Sequence, residues 1–502
     1  MLLIKNTLGL LKLSYYLLKS GVLFNTTKIL LTNQENHDKK KQLLTNLGEK
    51  LALLLPKIGP AFVKLGQTLS TRSDLLGENL SSSLSKLQDK IPPCKFKHVK
   101  FNIEKQLKSK IEELFIEFDK NSCAAASIAQ VHKAKTKNGK IVAVKVLRPK
   151  IRQKFSENLN LMMLTSQVLT FFLSDARRLK LIEVTKTVRK GVEMELDLRL
   201  EAAAADKLRI NSENDTGIYI PKVLWEYTSS NILTTEWIDG IPIYNKKRLL
   251  EKGHDMYQLA KKLAVIFFNQ AYRDGFFHAD IHPGNIFVMD NGDIALVDFG
   301  IIGYLDYTTK VFMAKILYGF LNKDYESVAK IHFKAGLIPQ GQSKELFELA
   351  CRSIGEPIIG KPVEKISISQ LLKQLFETSR TFSMEIQPQL LLLHKTIITL
   401  EGTGYFIYPK VNMWHLAKPW IKKWARRNLG KIGQLKSIKY DTEKFLGMAI
   451  NTLEEFINKT DSLSQTNLLP KDNIKKNNYF LRYFIVLTII LFIGIIIGKN
   501  FS

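Results

Sequence analysis

Asp280 and Asn285 lie five residues apart, and the tripeptide Asp298-Phe299-Gly300 begins thirteen residues after Asn285. The second interval holds an apolar run, Ile286-Phe287-Val288-Met289, a turn, Asp290-Asn291-Gly292-Asp293, and another apolar run, Ile294-Ala295-Leu296-Val297. Apolar runs on either side of an Asn-Gly turn predict a hairpin. The returning strand delivers Asp298 to face the loop that carries Asp280 and Asn285. Phosphotransfer enzymes set one catalytic Asp and two metal-holding side chains around a triphosphate in this order. Asp280 is therefore assigned to orient a nucleophile, and Asn285 and Asp298 to hold Mg2+. The run His278-Ala279-Asp280-Ile281-His282 also invites a zinc or iron reading, since His and Asp bind both metals. No third ligand cluster lies nearby in sequence and the Pro283-Gly284-Asn285 tail would go unexplained, so His278 and His282 are read as residues that fix the loop backbone.

A site of this kind needs a strand lysine upstream, and Ile141-Val142-Ala143-Val144-Lys145-Val146-Leu147 supplies Lys145 to hold the α and β phosphates. An ammonium among apolar neighbours is costly to bury unpaired. The helical stretch from about Glu183 to Arg209 offers Glu195, Asp197 and Glu201, and Glu201 is chosen as the partner of Lys145. The strand Asn231 to Thr235, running into Glu236-Trp237-Ile238-Asp239-Gly240, is placed as a hinge between two lobes. There backbone groups around Glu236 and Ile238 would receive adenine. Where a glycine-rich loop would cover the phosphates, the chain has Cys123, Ala124, Ala125, Ala126, Ser127, Ile128, Ala129, Gln130, Val131 and His132, with no glycine. A Cβ restricts left-handed backbone and holds the loop away from the phosphates. Nucleotide preference should change accordingly, and protein phosphorylation should weaken.

With these residues in view the chain resembles the UbiB family of atypical kinase-like proteins over roughly residues 50 to 425. The alanine-rich loop and the Val-Ala-Val-Lys strand continuing to Arg148-Pro149 are similar to family signatures. So are Lys64-Leu65-Gly66-Gln67, followed by Leu87-Gln88-Asp89 and Pro92-Pro93, and the Glu195-x-Asp197 pair. The resemblance implies an α+β, two-lobed protein-kinase-like fold whose substrate site is filled by its own N-terminal helical extension. Lys64 would pair with Glu195 or Asp197 inside the cleft, with Gln67 one turn on and on the same face. It further implies ATP or ADP with Mg2+ as ligands, ATPase activity in support of ubiquinone biosynthesis, and partners that are membrane lipid, a polyprenyl quinone precursor and quinone-biosynthesis proteins.

Composition fits a protein at a membrane surface. The apolar fraction of 45% supports a packed core, and three cysteines cannot form a disulfide framework, which suggests a reducing compartment. There are 74 Lys plus Arg against 47 Asp plus Glu, a net +27. A nucleic-acid binder would gather this charge in a groove with stacking aromatics, and no such module is found. From Trp414 to Lys439 the lysines and arginines instead stand beside Trp420 and Trp424, as anionic lipid would favour. Tyr483 to Gly498 is sixteen residues without a charge, and adding Tyr479 to Arg482 makes twenty, with Arg482 snorkelling to the interface. That length predicts a C-terminal, single-pass transmembrane helix, and the family resemblance implies that the membrane is of the bacterial inner type. Lys471, Lys475, Lys476 and Arg482 on its N-terminal flank place the main body in the cytoplasm. Gly494-x-x-x-Gly498 gives that helix a face through which two copies could form a homodimer.

The expected organisation is an amphipathic segment over 1–50, the helical extension over 51–120, an N-lobe over 121–240 and a C-lobe over 241–412. A basic membrane-proximal region and linker over 413–478 and an anchor over 479–499 complete it. Two other roles remain open beside the ATPase: a kinase of a small molecule or lipid, and a nucleotide-gated scaffold without turnover. The alanine loop makes a first test. Ala125→Gly is expected to raise ATP affinity, and unchanged binding in a nucleotide titration would count against this account of the loop.

Overall fold

The computed structural model describes residues 15–16, 18–21, 37–70, 78–84, 87, 92–172, 181–339, 341–359, 368–384 and 387–428. The expected transmembrane helix, its Gly494/Gly498 face and the linker before it lie outside these residues. Among the described residues no helix is long and apolar enough to cross a membrane. Residues up to Trp420 form one compact unit, and Ile421 onward belongs to a second.

The N-lobe is built on β1 (Phe115–Phe118), β2 (Ala124–Ala125), β3 (Ala129–Thr136), β4 (Ile141–Leu147) and β6 (Ile232–Glu236), with β5 (Ile218–Tyr219) in a separate sheet. Its strand order is β1-β3-β4-β6, with β2 paired to β3. Alternation along β4 explains its two faces. Val142, Val144 and Val146 are buried against Val99 and Ile103, while Ala143 and Lys145 face the cleft. The covering helix, Phe96–Leu107, is preceded by α1 (His37–Ile58), α2 (Pro60–Ser70) and α3 (Glu78–Leu84), and is numbered α4.

Between β4 and β6 run α5 (Ile151–Phe172), α6 (Leu181–Glu195) and α7 (Leu198–Asn211). The single helix expected from Glu183 to Arg209 is thus broken at Leu196 and Asp197. Asp197 caps α7, its carboxylate accepting from the Arg199 backbone N–H. Arg152 fixes the break by donating to the Leu196 and Ser230 carbonyls and to the Asn231 side chain.

In the C-lobe, α8 (Met256–Phe268) runs directly into a π-helical turn, Asn269–Asp274, and Gly275 ends it at φ 69°. A single π-turn inside a helix often marks a functional site. Here its Gln270 accepts from the backbone N–H of His278 at 3.1 Å, at the start of the candidate catalytic loop. The lobe carries a sheet of order β5-β10-β9-β7, with β7 at Gly240–Pro242 and the anticipated hairpin as β9 (Ile286–Met289) and β10 (Ile294–Leu296). A separate pair joins β8 (Phe276–His278) to β11 (Ile302–Tyr304). Then come α9 (Tyr307–Leu321), α10 (Tyr325–Lys334), α11 (Lys344–Ile359), α12 (Ile368–Thr381), α13 (Pro388–Ile407) and α14 (Met413–Asn428).

The apolar stretch Leu390 to Leu400 lies on α13, with Leu390, Leu393, Ile397 and Leu400 buried and Ile398 exposed. Trp420, expected to rest on a membrane, turns inward instead. Its indole Nε1 donates to Asn269 at 2.7 Å and its ring stacks on Phe268, because the π-turn offers an acceptor beside an aromatic face.

Gly303 on β11 lies against the Phe277 ring, which a Cβ at that position would overlap. Gly303→Ala should therefore destabilise the protein by about 1–3 kcal/mol, the usual cost of overpacking a core, read as a lowered thermal midpoint.

Candidate functional site

Lys145 is the hub of the cleft. Its Nζ donates to the two carboxylate oxygens of Glu201 at 2.7 and 3.0 Å and to Asp298 Oδ1 at 3.0 Å. Strand β4 projects the lysine from the N-lobe, the first turn of α7 presents Glu201, and the segment after β10 returns Asp298 from the C-lobe. Lys145 is 16% and Glu201 8% exposed, whereas Asp298 keeps 49% of its side chain open to the cleft. Burial pushes the Glu201 carboxyl up to about 7, partly opposed by Lys145. Lys145 chiefly holds the Asp298 carboxyl below its ordinary value. Burial would lower the Lys145 ammonium, but Asp298 and Glu201 outweigh it and keep it above its usual range. The more open of the two carboxylates therefore stays ionised, as a metal ligand must.

Asp298 has φ 61°, a left-handed backbone that a non-glycine residue rarely adopts. Phe299 beside it is buried against the His278 ring. Such strain is held only where the surroundings fix it, and it is common at functional sites.

The loop after β8 is fixed by hydrogen bonds of the kind expected for its histidines. His278 Nδ1 accepts from the Asp280 backbone N–H at 3.1 Å, so Nε2 carries the proton and donates to the Val297 carbonyl, also at 3.1 Å. Burial lowers the pKa of this ring, consistent with the neutral tautomer. His282 Nδ1 accepts from the Gly284 N–H at 3.1 Å. Asn285 donates its amide to the Asp280 carbonyl at 3.1 Å and to Asp280 Oδ2 at 3.3 Å. Its carbonyl oxygen is then the atom left for a cation.

Two adjoining cavities share Lys145, Glu201 and Asp298. One, of about 470 Å3, is lined by Ala124, Ala125, Ala126, Ala129 and Val131 above, by Glu236, Trp237 and Ile238 at the hinge, and by Asn285 below. The other, of about 390 Å3, is lined by Lys64, Gln67, Ser127, Ile128, Glu195 and Asp280. A magnesium nucleotide fits the first on donor chemistry: one ionised carboxylate, one amide oxygen and a lysine suit an ion that binds through few protein oxygens and takes the rest from phosphate and water. Asn285 and Asp298 would hold the ion and Lys145 the phosphates.

Most of the residues singled out in the sequence thus meet here, with two differences. Gln130 does not enter the site, because strand alternation turns it to the other face of β3, where it bonds the Cys94 N–H and His132. Asp197 is engaged by Arg199, and Lys64 pairs with Glu195, at 2.6 Å. Glu236 lines the pocket, its carboxylate held by Tyr219 and the Lys222 N–H and its own N–H donated to the Lys222 carbonyl. Among the described residues 123–132 no φ is positive, so the alanine loop adopts a backbone open to any L-residue. Arg148 had gone unassigned. Its guanidinium staples the loop by donating to the Ala126 and Pro92 carbonyls. Thr396 and Thr403, also unassigned, bond the Leu392 and Thr399 carbonyls of α13 and bring their hydroxyls within 3.2 and 3.4 Å of the Ala279 and Ile281 carbonyls on either side of Asp280.

Fold and site together define a kinase-like protein. Residues 86–332 match the model of the ABC1 atypical kinase-like domain, and residues 351–412 that of the UbiB helical domain. The chain is 43% identical over 396 residues to the "probable protein kinase UbiB" of Marinobacter nauticus, covering 78% of this chain and 72% of the relative. It is 38% identical over 451 residues to the protein of that name from Pseudomonas entomophila, covering 88% and 83%. Among solved structures, the Rv3197–erythromycin complex from Mycobacterium tuberculosis aligns with a TM-score of 0.52 and 26% identity, over 76% of this chain and 95% of that one. The chain belongs to the UbiB family.

The raised Glu201 carboxyl gives a pH signature. Folded protein keeps a proton on Glu201 that the unfolded chain releases near roughly 4.3, so the associated stability is full below that pH and is lost as pH rises through about 7. Nucleotide-free Glu201→Gln, a neutral mimic of the protonated acid, should show a flatter dependence of thermal midpoint on pH between those limits. An unchanged slope would contradict the assignment.

Proposed function

We propose that this protein is an ATP-dependent enzyme at the bacterial inner membrane that couples binding or hydrolysis of magnesium nucleotide to the handling of a polyprenyl quinone precursor in ubiquinone biosynthesis. Its main body would lie in the cytoplasm, with residues 479–499 as a single-pass anchor and quinone-biosynthesis proteins as partners. The observation that carries this reading is the Lys64–Glu195 ion pair, which seats α2 beside Lys145 and Asp280 in one cleft. A helix in that position leaves a cavity of about 390 Å3, on the side where the family resemblance implies that a protein kinase would take its peptide substrate. The cavity suits a small acceptor, or water, better than a polypeptide.

Lys145 would hold the nucleotide phosphates, and Asn285 and Asp298 the magnesium ion, which supplies charge neutralisation for the transferred group. Asp280, with its carboxylate steadied by the Asn285 amide, would orient the attacking oxygen and accept its proton. A second reading, a kinase of a small molecule or lipid, draws on the same cavity, because Leu84, Leu87 and Leu392 line it together with Asp280.

Asp298→Asn should abolish magnesium-nucleotide binding and quinone production together. Asp280→Asn should keep nucleotide binding but lower ATP turnover by about 100-fold or more, and lose quinone production with it. Quinone production that survives Asp280→Asn would instead identify a nucleotide-gated scaffold. Labelled γ-phosphate accumulating on an extracted lipid would identify the kinase.

A further inference from the structure

Lys395 is a cation in the cleft for which the assignments above leave no task. It stands on α13 and lines the cavity that contains Asp280 and Asp298, while the adjoining nucleotide pocket at the hinge excludes it. The other two lysines of the cleft are committed, Lys145 to Glu201 and Asp298, and Lys64 to Glu195. Among the described residues no carboxylate forms a salt bridge with Lys395.

Its place is fixed. The hydroxyl of Thr396, the next residue, bonds the Leu392 carbonyl of its own helix at 2.8 Å and reaches the Ala279 carbonyl at 3.2 Å; that of Thr403, about two turns on, bonds the Thr399 carbonyl at 2.8 Å and reaches the Ile281 carbonyl at 3.4 Å. This part of α13 therefore lies against the catalytic loop on both sides of Asp280. Lys395 is half-buried, and the cavity it lines also carries Leu84, Leu87 and Leu392. The loop from His278 to Asn285 contains no Lys or Arg. Both ring nitrogens of His278 are spent on backbone groups, and Nδ1 of His282 is spent likewise. A phosphoryl group entering beside Asp280 would meet one uncommitted cation.

We infer that Lys395 forms a second phosphate subsite, beyond the one at Lys145, which holds a phosphoryl group next to Asp280. That group is either the terminal phosphate of the nucleotide or a phosphate borne by the acceptor. The inference rests on the proposed nucleotide reading only for the identity of the first of these ligands.

The test compares the full-length protein in detergent with Lys395→Ala and Lys395→Arg, titrating MgATP, MgADP and, into the MgADP-loaded protein, inorganic pyrophosphate. If the subsite takes the terminal phosphate, Lys395→Ala weakens MgATP roughly 10- to 100-fold, leaves MgADP unchanged, and is largely rescued by Lys395→Arg. If it serves an acceptor, both nucleotides bind as in the wild type and pyrophosphate weakens instead. Wild-type binding of all three ligands by Lys395→Ala overturns the inference. Equal weakening of MgATP and MgADP with a lowered thermal midpoint overturns it too, since that is damage to the fold. A wild-type protein that takes up no magnesium nucleotide would refute the proposed function, and pyrophosphate titrated into the nucleotide-free proteins would then decide the subsite by itself.

Discussion

One ammonium shared between two carboxylates holds the two lobes in register at the cleft. Lys145 comes from the N-lobe sheet, Glu201 from the helix beside it, and Asp298 from the C-lobe, and the three meet at 2.7 to 3.0 Å. Burying any one alone would be expensive, and removing one member of a buried pair typically costs about 3–5 kcal/mol. The cluster therefore demands that strand register, helix position and the left-handed backbone at Asp298 all be correct together. Its charges are not evenly matched. One cation faces two anions, so the deeper carboxylate, Glu201, tends toward its protonated form while the more open Asp298 stays charged. This division suits Asp298 to a divalent ion and Glu201 to positioning Lys145.

The extension works on the same cleft from the other side. By pairing with Glu195, Lys64 seats α2 against the kinase-like core and helps to enclose a second cavity beside the nucleotide pocket. The alanine loop and Arg148 act from above. Ala126 and Ser127 lie in the wall of that cavity, and the guanidinium ties Ala126 to Pro92, later in the same extension. Alanine loop and extension are thus tied together, and α13 brings the hydroxyls of Thr396 and Thr403 against the catalytic loop.

The parts legible in the sequence were those set by local pattern. Two apolar runs about an Asn-Gly turn over 286–297 predicted the hairpin, and with it the approach of Asp298 to Asn285; an apolar run over 141–147 holding a single lysine marked the strand of Lys145. The Lys145–Glu201 pair followed from the cost of an unpaired buried charge. The break at Leu196–Asp197 was not legible. Its cause is Arg152, which reaches carbonyls 44 and 78 residues away, and no local pattern encodes such bonds. Trp420 misled for a similar reason, since its acceptor, Asn269, lies 151 residues earlier on a π-turn that composition does not announce. Gln130 is different. A period of two counted from Val131 would have turned it away from the nucleotide, so that signal was present and went unused.

The most direct measurement is calorimetric titration of ADP into the full-length protein, with and without Mg2+, for the wild type and Lys145→Ala. A single saturable site that needs Mg2+ and is lost in the variant is the result this account predicts. Absence of magnesium-dependent uptake by the wild type, or uptake indifferent to Lys145, would contradict it.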